Sequence, residues 1–195
     1  MPASSLSGTT KSRDIITKND TIKCGNVLIL TYKITLPRLG IESIDAFLAE
    51  LSDRYEAYIR DTLGAERITL YNADTDRRKH LHFPVKNVYF EGSAVFHGEH
   101  AVVSFDTVET RESYVETFTR RTLVFCVKSG NLVFDFEFLD KRKDFGNGLG
   151  KKLPKDAFFS LIDGKIVPCV NTFPQGNPIK LRKRELERYI KVMDL

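Results

Sequence analysis

Four histidines are the residues of this 195-residue sequence whose type and spacing could form a metal site. His80 and His82 are two positions apart, so an extended backbone would place both imidazoles on one face. His97 and His100 flank a predicted turn and could face each other across it. Neutral imidazole is a common ligand of transition metals, but a site needs three or four ligands. Because no carboxylate is uniquely placed to complete either pair, the sequence predicts exposed loop histidines and no metal or other cofactor.

Acidic residues and thiols are the other candidates for catalysis. Asp106, Glu109, Asp135 and Glu137 all lie in segments with strand-like alternation, which predicts that they face solvent. Cys126 lies in an apolar run, where cysteine usually behaves as a small buried hydrophobic residue. The sequence has no Gly-x-Ser-x-Gly motif, and no Cys-x-x-Cys pair of the kind that zinc sites use. These observations favour a domain that is not an enzyme.

Basic residues are concentrated at the C-terminal end. The net charge is −4 over residues 91–139 and +6 over residues 140–195. Such a segment can bind an anionic partner, and phosphate contacts would make that binding depend strongly on salt. Because Tyr189 is the one aromatic residue in the last segment, nucleic acid is the disfavoured partner. The candidate anion-binding residues are Lys180, Arg182, Arg184 and Arg188.

Segment 173–178, with the sequence Phe-Pro-Gln-Gly-Asn-Pro, is the best candidate for a contact surface. Two prolines restrict its backbone, and an ordered loop loses less entropy on binding. The aromatic ring could anchor a partner while the amide side chains form hydrogen bonds. In the alternative interpretation, the segment is an ordinary connection with its ring turned inward. The candidate partner-binding residues are Phe173, Gln175, Gly176 and Asn177.

Periodicity predicts the elements that must position these residues. Apolar residues recur at three- and four-residue steps from Ile41 to Leu63, which predicts an amphipathic helix that stops at Gly64. The β-branched segment 27–36 predicts a strand before it. Beyond residue 83 the apolar period changes to two. The predicted strands there are 85–90, 94–97, 101–110, 114–128, 132–139, 158–162 and 165–170.

Together these elements predict an α+β fold, in which a long amphipathic helix packs on an antiparallel meander sheet. A second hairpin and a short C-terminal helix over residues 182–192 follow. One face of segment 132–139 is aromatic, and we expect it to press against the helix. The predicted organisation begins with a flexible arm at 1–20 and a strand–helix–antiparallel sheet lobe at 21–139. A basic glycine-rich linker or excursion follows at 140–156, and a hairpin plus terminal helix at 157–195 packs on the first lobe.

Three segments and their order resemble a bacterial family of mostly unassigned function. The segments are Tyr-Lys-Ile-Thr-Leu-Pro at 32–37, the strand–turn–strand segment at 122–132, and the proline- and glycine-containing segment at 173–181. The family includes the extracytoplasmic domain of the lysozyme-sensing RsiV-like anti-sigma factors and the C-terminal domain of PdaC-like peptidoglycan deacetylases. The resemblance implies a non-catalytic sensing or binding domain at the cell envelope. Residues 110–114 depart from the glycine- and histidine-containing segment that many members carry, so a function of that segment is not carried over.

We therefore expect a non-enzymatic binding or sensing domain whose partner is a protein or a cell-envelope glycan. One alternative is a small-ligand pocket or a simple acid/base enzyme on a cystatin-like or nuclear-transport-factor-like fold. The other is an anion or nucleic-acid binder acting through the basic C-terminal third. No apolar run approaches 18 residues and no signal peptide is visible. The sequence alone predicts a cytoplasmic protein, or an extracytoplasmic one if a leader or anchor has been removed.

Overall fold

Two β-sheets and one long helical segment make up the described part of the chain. The computed structural model describes residues 15–74, 83–112, 114–141, 157–171, 173 and 176–180. The strands are β1 (Ile15–Cys24), β2 (Val27–Pro37), β3 (Lys86–His97), β4 (His100–Arg111), β5 (Tyr114–Cys126), β6 (Leu132–Lys141), β7 (Phe158–Ile162), β8 (Lys165–Val170) and β9 (Asn177–Pro178). The helical segment is α1 (Glu42–Tyr58), a π-helical turn (Ile59–Gly64) and α2 (Ala65–Ala73).

The first sheet has six strands in the order β1-β2-β3-β4-β5-β6. All neighbouring pairs are antiparallel except β2 and β3, which are parallel because the helical segment carries the chain back before β3 begins. The strands predicted between residues 27 and 139 are confirmed, with 85–90 and 94–97 joined into the single strand β3. Residues 15–20, assigned from sequence to a flexible arm, belong instead to β1, and residues 1–14 of that arm lie outside the described residues.

The helical segment is longer than predicted, because it continues through Gly64 to Ala73 and spans 32 residues. Gly64 has helical backbone angles (φ −63°, ψ −46°), so the expected stop at this position is wrong. A Cβ atom at Gly64 would lie 2.8 Å from Cδ1 of Ile22 in β1. The lack of a side chain at Gly64 therefore allows β1 and the helix to approach closely, and it does not end the helix.

Aromatic rings fill the space between the helix and the first sheet. The rings of Tyr55 and Phe90 stack with centroids 4.4 Å apart, and Phe105 meets Phe90 edge-on at 4.9 Å. Phe47 of α1 meets Phe125 of β5 edge-on at 5.4 Å. We call the sheet face that these rings cover the helix side.

The side chains of Phe134 and Phe136 in β6 lie on the other face of the sheet, so the prediction that the aromatic face of this strand presses against the helix is wrong. Phe134 and Phe136 contact Phe159 of β7, with centroids 5.3 and 4.4 Å apart. The cause is a register shift in which Phe125 pairs with Leu132, whereas Val124 pairs with Phe134. This bulge leaves Leu132 on the helix side and turns Phe134 and Phe136 toward the second sheet.

The predicted fold class is therefore wrong in its balance of helix and sheet and in its topology. Within the described ranges the chain forms nine strands in two sheets with a single helical segment, and the first sheet is mixed rather than a pure antiparallel meander. The predicted second hairpin is part of a three-stranded sheet, β7-β8-β9. No helix follows Ala73 in these ranges, and the expected C-terminal helix at 182–192 lies outside them.

The helices of this chain are not of the kind that spans a membrane, as far as the structure describes them. Across the described ranges, none is both long enough and apolar enough to cross a bilayer.

Candidate binding surface

One face of strands β1 to β3 is left uncovered by the helix and presents polar side chains. Lys18 and Tyr32 point to the helix side, where both contact Glu56, so the alternate residues of β1 and β2 point the other way. The second sheet contacts that other face at β4 to β6, through Val102, Val124 and Phe134 among others. We call the remaining part the open face. Its residues are Thr17, Asn19, Thr21, Thr31, Lys33, Thr35, Asn87, Tyr89 and Glu91.

Strand register arranges the open face as three rows of three residues. In each row the Cα positions are direct partners across β1, β2 and β3. The rows are Thr17–Thr35–Glu91, Asn19–Lys33–Tyr89 and Thr21–Thr31–Asn87. Six of the nine residues are exposed, and Thr31, Thr35 and Asn87 are partly buried.

Hydrogen bonds fix part of the open face. The Thr31 hydroxyl donates to Oδ1 of Asn87 at 2.8 Å, and Nδ2 of the same asparagine donates to the Thr110 hydroxyl at 3.4 Å. Lys33 and Glu91 form an ion pair at 3.7 Å, so the two charges of the face offset each other. The Thr35 hydroxyl oxygen is buried and has no hydrogen-bond partner among the described residues. The face is thus polar, without net charge and partly pre-ordered.

A polar network on the helix side holds β1 and β2 against α1. Glu56 accepts hydrogen bonds from the Tyr32 hydroxyl at 2.6 Å and from Lys18 Nζ at 2.8 Å. Arg60 contacts Glu56 at 3.4 Å and Asp20 at 2.5 Å. The bonds from Lys18 and Tyr32 lower the pKa of Glu56 to about 2, whereas burial and the bond to Glu56 raise the pKa of Tyr32 to about 12. Neighbouring residues of β1 point to opposite faces of the sheet. By holding the helix-side residues of β1, this network therefore also holds in place the β1 residues of the open face.

We expect Glu56→Gln to lower the free energy of unfolding at pH 7 by about 1–2 kcal/mol, after allowance for solvent screening at a side chain that is 25% exposed. The folded pKa of about 2 lies below the ordinary 4.5, so the ionised group stabilises the fold above pH 4.5. That contribution is lost as the pH falls toward 2. Urea unfolding at several pH values should therefore show a smaller decrease in stability between pH 5 and 2 for Glu56→Gln than for the wild type.

The matched control is Glu50→Gln, which removes an exposed i,i+4 ion pair with Arg54 on the same helix. Such pairs contribute little, so we expect a change below about 0.5 kcal/mol. Equal pH profiles for the wild type and Glu56→Gln would contradict the assignment of this carboxylate.

The carboxylates predicted to face solvent are held in ion pairs. Asp106 accepts hydrogen bonds from Nε and Nη2 of Arg120, and Asp135 accepts them from Nε and Nη2 of Arg121 at 2.7 and 2.5 Å. Glu109 is buried on the helix side and 2.7 Å from Lys86, so the prediction that it faces solvent is wrong. The hairpin places it there because its partner in β3 is the core residue Val88. The side chain of Glu137 lies outside the described part.

A second ion-pair cluster surrounds Glu109. Lys86 also lies 3.5 Å from Glu116, which pairs with Arg111. Charges of both signs alternate through this partly buried group, and its ion pairs join β3, β4 and β5. The arrangement stabilises the sheet, and each carboxylate already has a cationic partner.

Loop 173–178 is only partly described, and its described residues do not form one exposed patch. The Phe173 ring meets Phe158 edge-on at 5.3 Å and is partly buried. A Cβ atom at Gly176 would lie 2.5 Å from Phe158 Cζ and 2.6 Å from the Val170 carbonyl oxygen, so this position also packs inward. Asn177 and Lys180 are exposed. Gln175, Arg182, Arg184 and Arg188 lie outside the described residues, so the two binding sites predicted from sequence stay predictions.

His97 and His100 are direct Cα partners beside the turn of the β3–β4 hairpin. They are partly buried strand residues, so the prediction that they are exposed loop histidines is wrong for this pair. No group of three or more histidine, cysteine, aspartate or glutamate side chains in the described ranges is arranged to hold a metal ion. His80 and His82 lie outside those ranges.

Sequence reasoning missed the open face, although its signal was visible. Residues 31–36 alternate polar and apolar side chains, with threonine, lysine and threonine at the odd positions. Segment 15–22 follows the same pattern more weakly. What the pattern lacked was any indication of which sheet face a second layer would cover.

Within the described residues, fold and surface together define a two-sheet domain with one covering helical segment and a polar sheet face that no described element covers. No family model matches the chain, and no curated protein sequence matches it. Among solved structures, the chain is similar to a crystal structure described as a member of the DUF3298 family from Bacteroides fragilis, with 11% sequence identity and a TM-score of 0.44. The match covers 92% of this chain and 93% of the other. The similarity does not confirm the RsiV-like resemblance, and it carries no argument about function.

Proposed function

We propose that this protein is a non-enzymatic binding domain that recognises a neutral glycan through the open face. The observation that carries the proposal is the three-by-three arrangement of polar side chains, in which Tyr89 ends the middle row. Threonine hydroxyls and asparagine amides both donate and accept hydrogen bonds, which suits the hydroxyl groups of a sugar. The Tyr89 ring, 40% exposed, offers an amphipathic surface on which a sugar ring can rest.

The shape of the open face favours an extended ligand. Neighbouring strands lie about 4.8 Å apart, and same-face residues on one strand repeat at about 6.8 Å. The nine side chains therefore extend over about 10 Å across the strands and about 14 Å along them, which suits a ligand of several units better than a single small molecule. A polymer that lies along the strands can contact all three rows at once.

Charge separates a neutral glycan from an anionic ligand. Lys33 and Glu91 are the charged residues of the open face, and they are paired with each other. A nucleic acid or another polyanion is bound by lysine and arginine side chains that neutralise phosphates. Binding to the open face should accordingly change little between low and high salt.

The packing beneath the helix supports the proposal of a binding domain that is not an enzyme. A cystatin-like or nuclear-transport-factor-like pocket would need space between the helix and the sheet. In this chain the rings of Tyr55, Phe90 and Phe105 stack through that space. The carboxylates with described side chains on β4 to β6 are also paired with lysine or arginine.

Tyr89→Ala tests the proposal. We expect the wild-type chain to co-sediment with insoluble neutral polysaccharides such as chitin or cellulose, and the variant to bind at least tenfold more weakly because the stacking ring is gone. The matched control is Tyr58→Ala, because Tyr58 is 42% exposed and lies on the helix rather than on the open face. It should bind like the wild type.

Three outcomes would overturn the proposal. They are failure to bind any neutral polysaccharide, equal loss of binding in both variants, and a steep decrease in affinity between 50 and 500 mM salt. If the protein instead captures one defined polypeptide through Tyr89, the surface is a protein-binding site and the glycan assignment is wrong.

A further inference from the structure

Strand β1 forms an outer edge of the first sheet, and its far side has no strand partner among the described residues. A two-residue turn at 25–26 joins it to β2, so Cys24 and Val27 form a hydrogen-bonded pair. Because hydrogen-bonded and non-hydrogen-bonded pairs alternate, the even-numbered residues of β1 bond to β2 through their backbone. The bulge in this pair adds its extra residue to β2 and leaves β1 regular. The odd-numbered residues of β1 therefore direct their N–H and C=O groups to the outer edge.

A hydrogen bond at the outer edge agrees with this orientation. The Thr21 N–H donates to Oδ1 of the neighbouring Asp20 at 2.7 Å. A backbone group that no strand bonds needs another partner, and a side chain nearby can supply it. An edge of this kind is a template for pairing with another chain.

The sequence along this edge is complementary to itself. Residues 16–22 read Ile-Thr-Lys-Asn-Asp-Thr-Ile, and reversing the order exchanges only Lys18 and Asp20. Two copies of β1, placed antiparallel about Asn19, therefore bring Lys18 of each copy opposite Asp20 of the other. Opposite charges at directly opposed positions stabilise a pair of strands. The other opposed residues match in type: Asn19 with Asn19, Thr17 with Thr21, and Ile16 with Ile22.

Neighbouring registers do not combine these properties. A shift by one residue would oppose an outward-directed residue to one that bonds to β2, so the backbone bonds would not form. A shift by two residues restores the backbone pattern, but it places Lys18 opposite Lys18 or Asp20 opposite Asp20. Like charges directly opposite each other destabilise the pair. Backbone direction and charge thus select the register centred on Asn19.

The charges of β1 are already offset within one chain. Lysine on an edge strand often prevents pairing, but Lys18 is bound to Asp53 and Glu56 of α1. Asp20 is bound to Arg60. A second copy would therefore meet an edge without a large excess of either charge.

We propose that β1 pairs with β1 of a second copy of this chain, antiparallel about Asn19, so that the two six-stranded sheets become one continuous sheet. The Thr21 N–H then donates to the Thr17 carbonyl of the second copy in place of the Asp20 carboxylate. A two-fold axis perpendicular to the sheet keeps both open faces on the same side. The middle row of the open face, Asn19–Lys33–Tyr89, would continue into the same row of the second copy. The inference does not depend on glycan binding, because it uses only the strand edge and the residues opposed across it.

Analytical ultracentrifugation of the full chain tests the proposal. We expect a reversible dimer, and Asp20→Lys should raise its dissociation constant at least tenfold because two lysines then face each other at both charged positions. The matched control is Glu50→Lys, which makes the same charge change and also removes an ion pair with arginine, but on α1. This control should dimerise like the wild type.

A mixing experiment separates loss of the contact from loss of the fold. Lys18→Asp should also weaken the dimer, since aspartates then face each other. When the Lys18→Asp and Asp20→Lys chains are mixed, both opposed positions carry opposite charges again. We therefore expect the mixture to form heterodimers more tightly than either variant forms homodimers, with circular dichroism confirming that each variant is folded.

Cysteine cross-linking tests the register. Directly opposed Cα atoms of a hydrogen-bonded pair lie about 5.5 Å apart, within the range that a disulfide spans. Asn19→Cys should therefore cross-link to its copy on mild oxidation, whereas Thr21→Cys should not, because it faces Thr17. A wild-type chain that stays monomeric at its highest soluble concentration would overturn the proposal. So would a dimer that Asp20→Lys and Glu50→Lys weaken equally, or one in which Thr21→Cys cross-links and Asn19→Cys does not.

Discussion

Phe90→Ala should lower the free energy of unfolding by about 3–5 kcal/mol, which is a large part of the stability of an ordinary domain. The ring is 1% exposed and lies between Tyr55 of α1 and Phe105 of β4. Its removal leaves a cavity that joins two elements and that neither neighbour can fill by itself. Urea unfolding followed by circular dichroism measures the effect.

Phe96→Ala is the control for this prediction. Phe96 lies on the same strand and at an even-numbered position like Phe90, but it is 36% exposed at the far end of β3. Less apolar area is lost there, so we expect a change below about 1 kcal/mol. If both substitutions lower the free energy of unfolding equally, the rings of Tyr55, Phe90 and Phe105 are not the centre of the core.

Phe159→Ala should also lower the free energy of unfolding by about 3–5 kcal/mol. The part of the protein that is loosened should differ from that in Phe90→Ala. Phe159 of β7 contacts Phe134 and Phe136 of β6, and these contacts attach the second sheet to the first. Their loss should release the second sheet while the helix-side core stays packed, because the two sets of buried residues form separate clusters.

Hydrogen–deuterium exchange resolves where the protection is lost. In Phe159→Ala, peptides from β7 and β8 should exchange faster by a larger factor than peptides from α1. The sequence-based expectation, in which the aromatic residues of β6 press on the helix, gives the opposite result. A larger increase in exchange in α1 than in β7 would show that Val124 does not pair with Phe134 beyond the β6 bulge.

Strand positions could be predicted from the sequence because alternation depends on local residue order alone. The face that a strand presents is a different property, as β6 shows. A bulge adds one residue to one strand of a pair, and every later side chain then changes face. The pairing of Val124 with Phe134 beside that of Phe125 with Leu132 is such a case, and neither segment has a glycine or proline that would mark the bulge.

Gly64 and β1 show two other limits of sequence reasoning. A glycine at the end of an apolar helical repeat normally indicates a stop, but here it makes room for Ile22, which is 42 positions earlier in the chain. Strand β1 is rich in polar residues because one face is open and part of the other joins the network around Glu56. A strand with few apolar residues is hard to distinguish from a polar arm when its partners are unknown.

The candidate surface was only partly predictable for a related reason. Alternation identifies Thr31, Lys33 and Thr35 as one face of a strand, but it does not say whether another layer covers them. That depends on where the second sheet packs, and the packing depends on the face change in β6. The histidine pair was predictable because a two-residue turn places its flanking residues opposite each other.

The parallel pairing of β2 with β3 sets the order in which the chain can fold during synthesis. Thr31 and Asn87 are 56 positions apart, and at ribosomal rates of about 5–20 residues per second the second emerges about 3–11 s after the first. During that interval β1 and β2 form a lone hairpin, which is marginally stable in water. The inner edge of β2 has no strand to bind until translation has passed the entire helical segment. Nascent chains of this protein should therefore expose a strand edge with unpaired backbone N–H and C=O groups for seconds. That interval is long enough for a ribosome-associated chaperone to bind the edge.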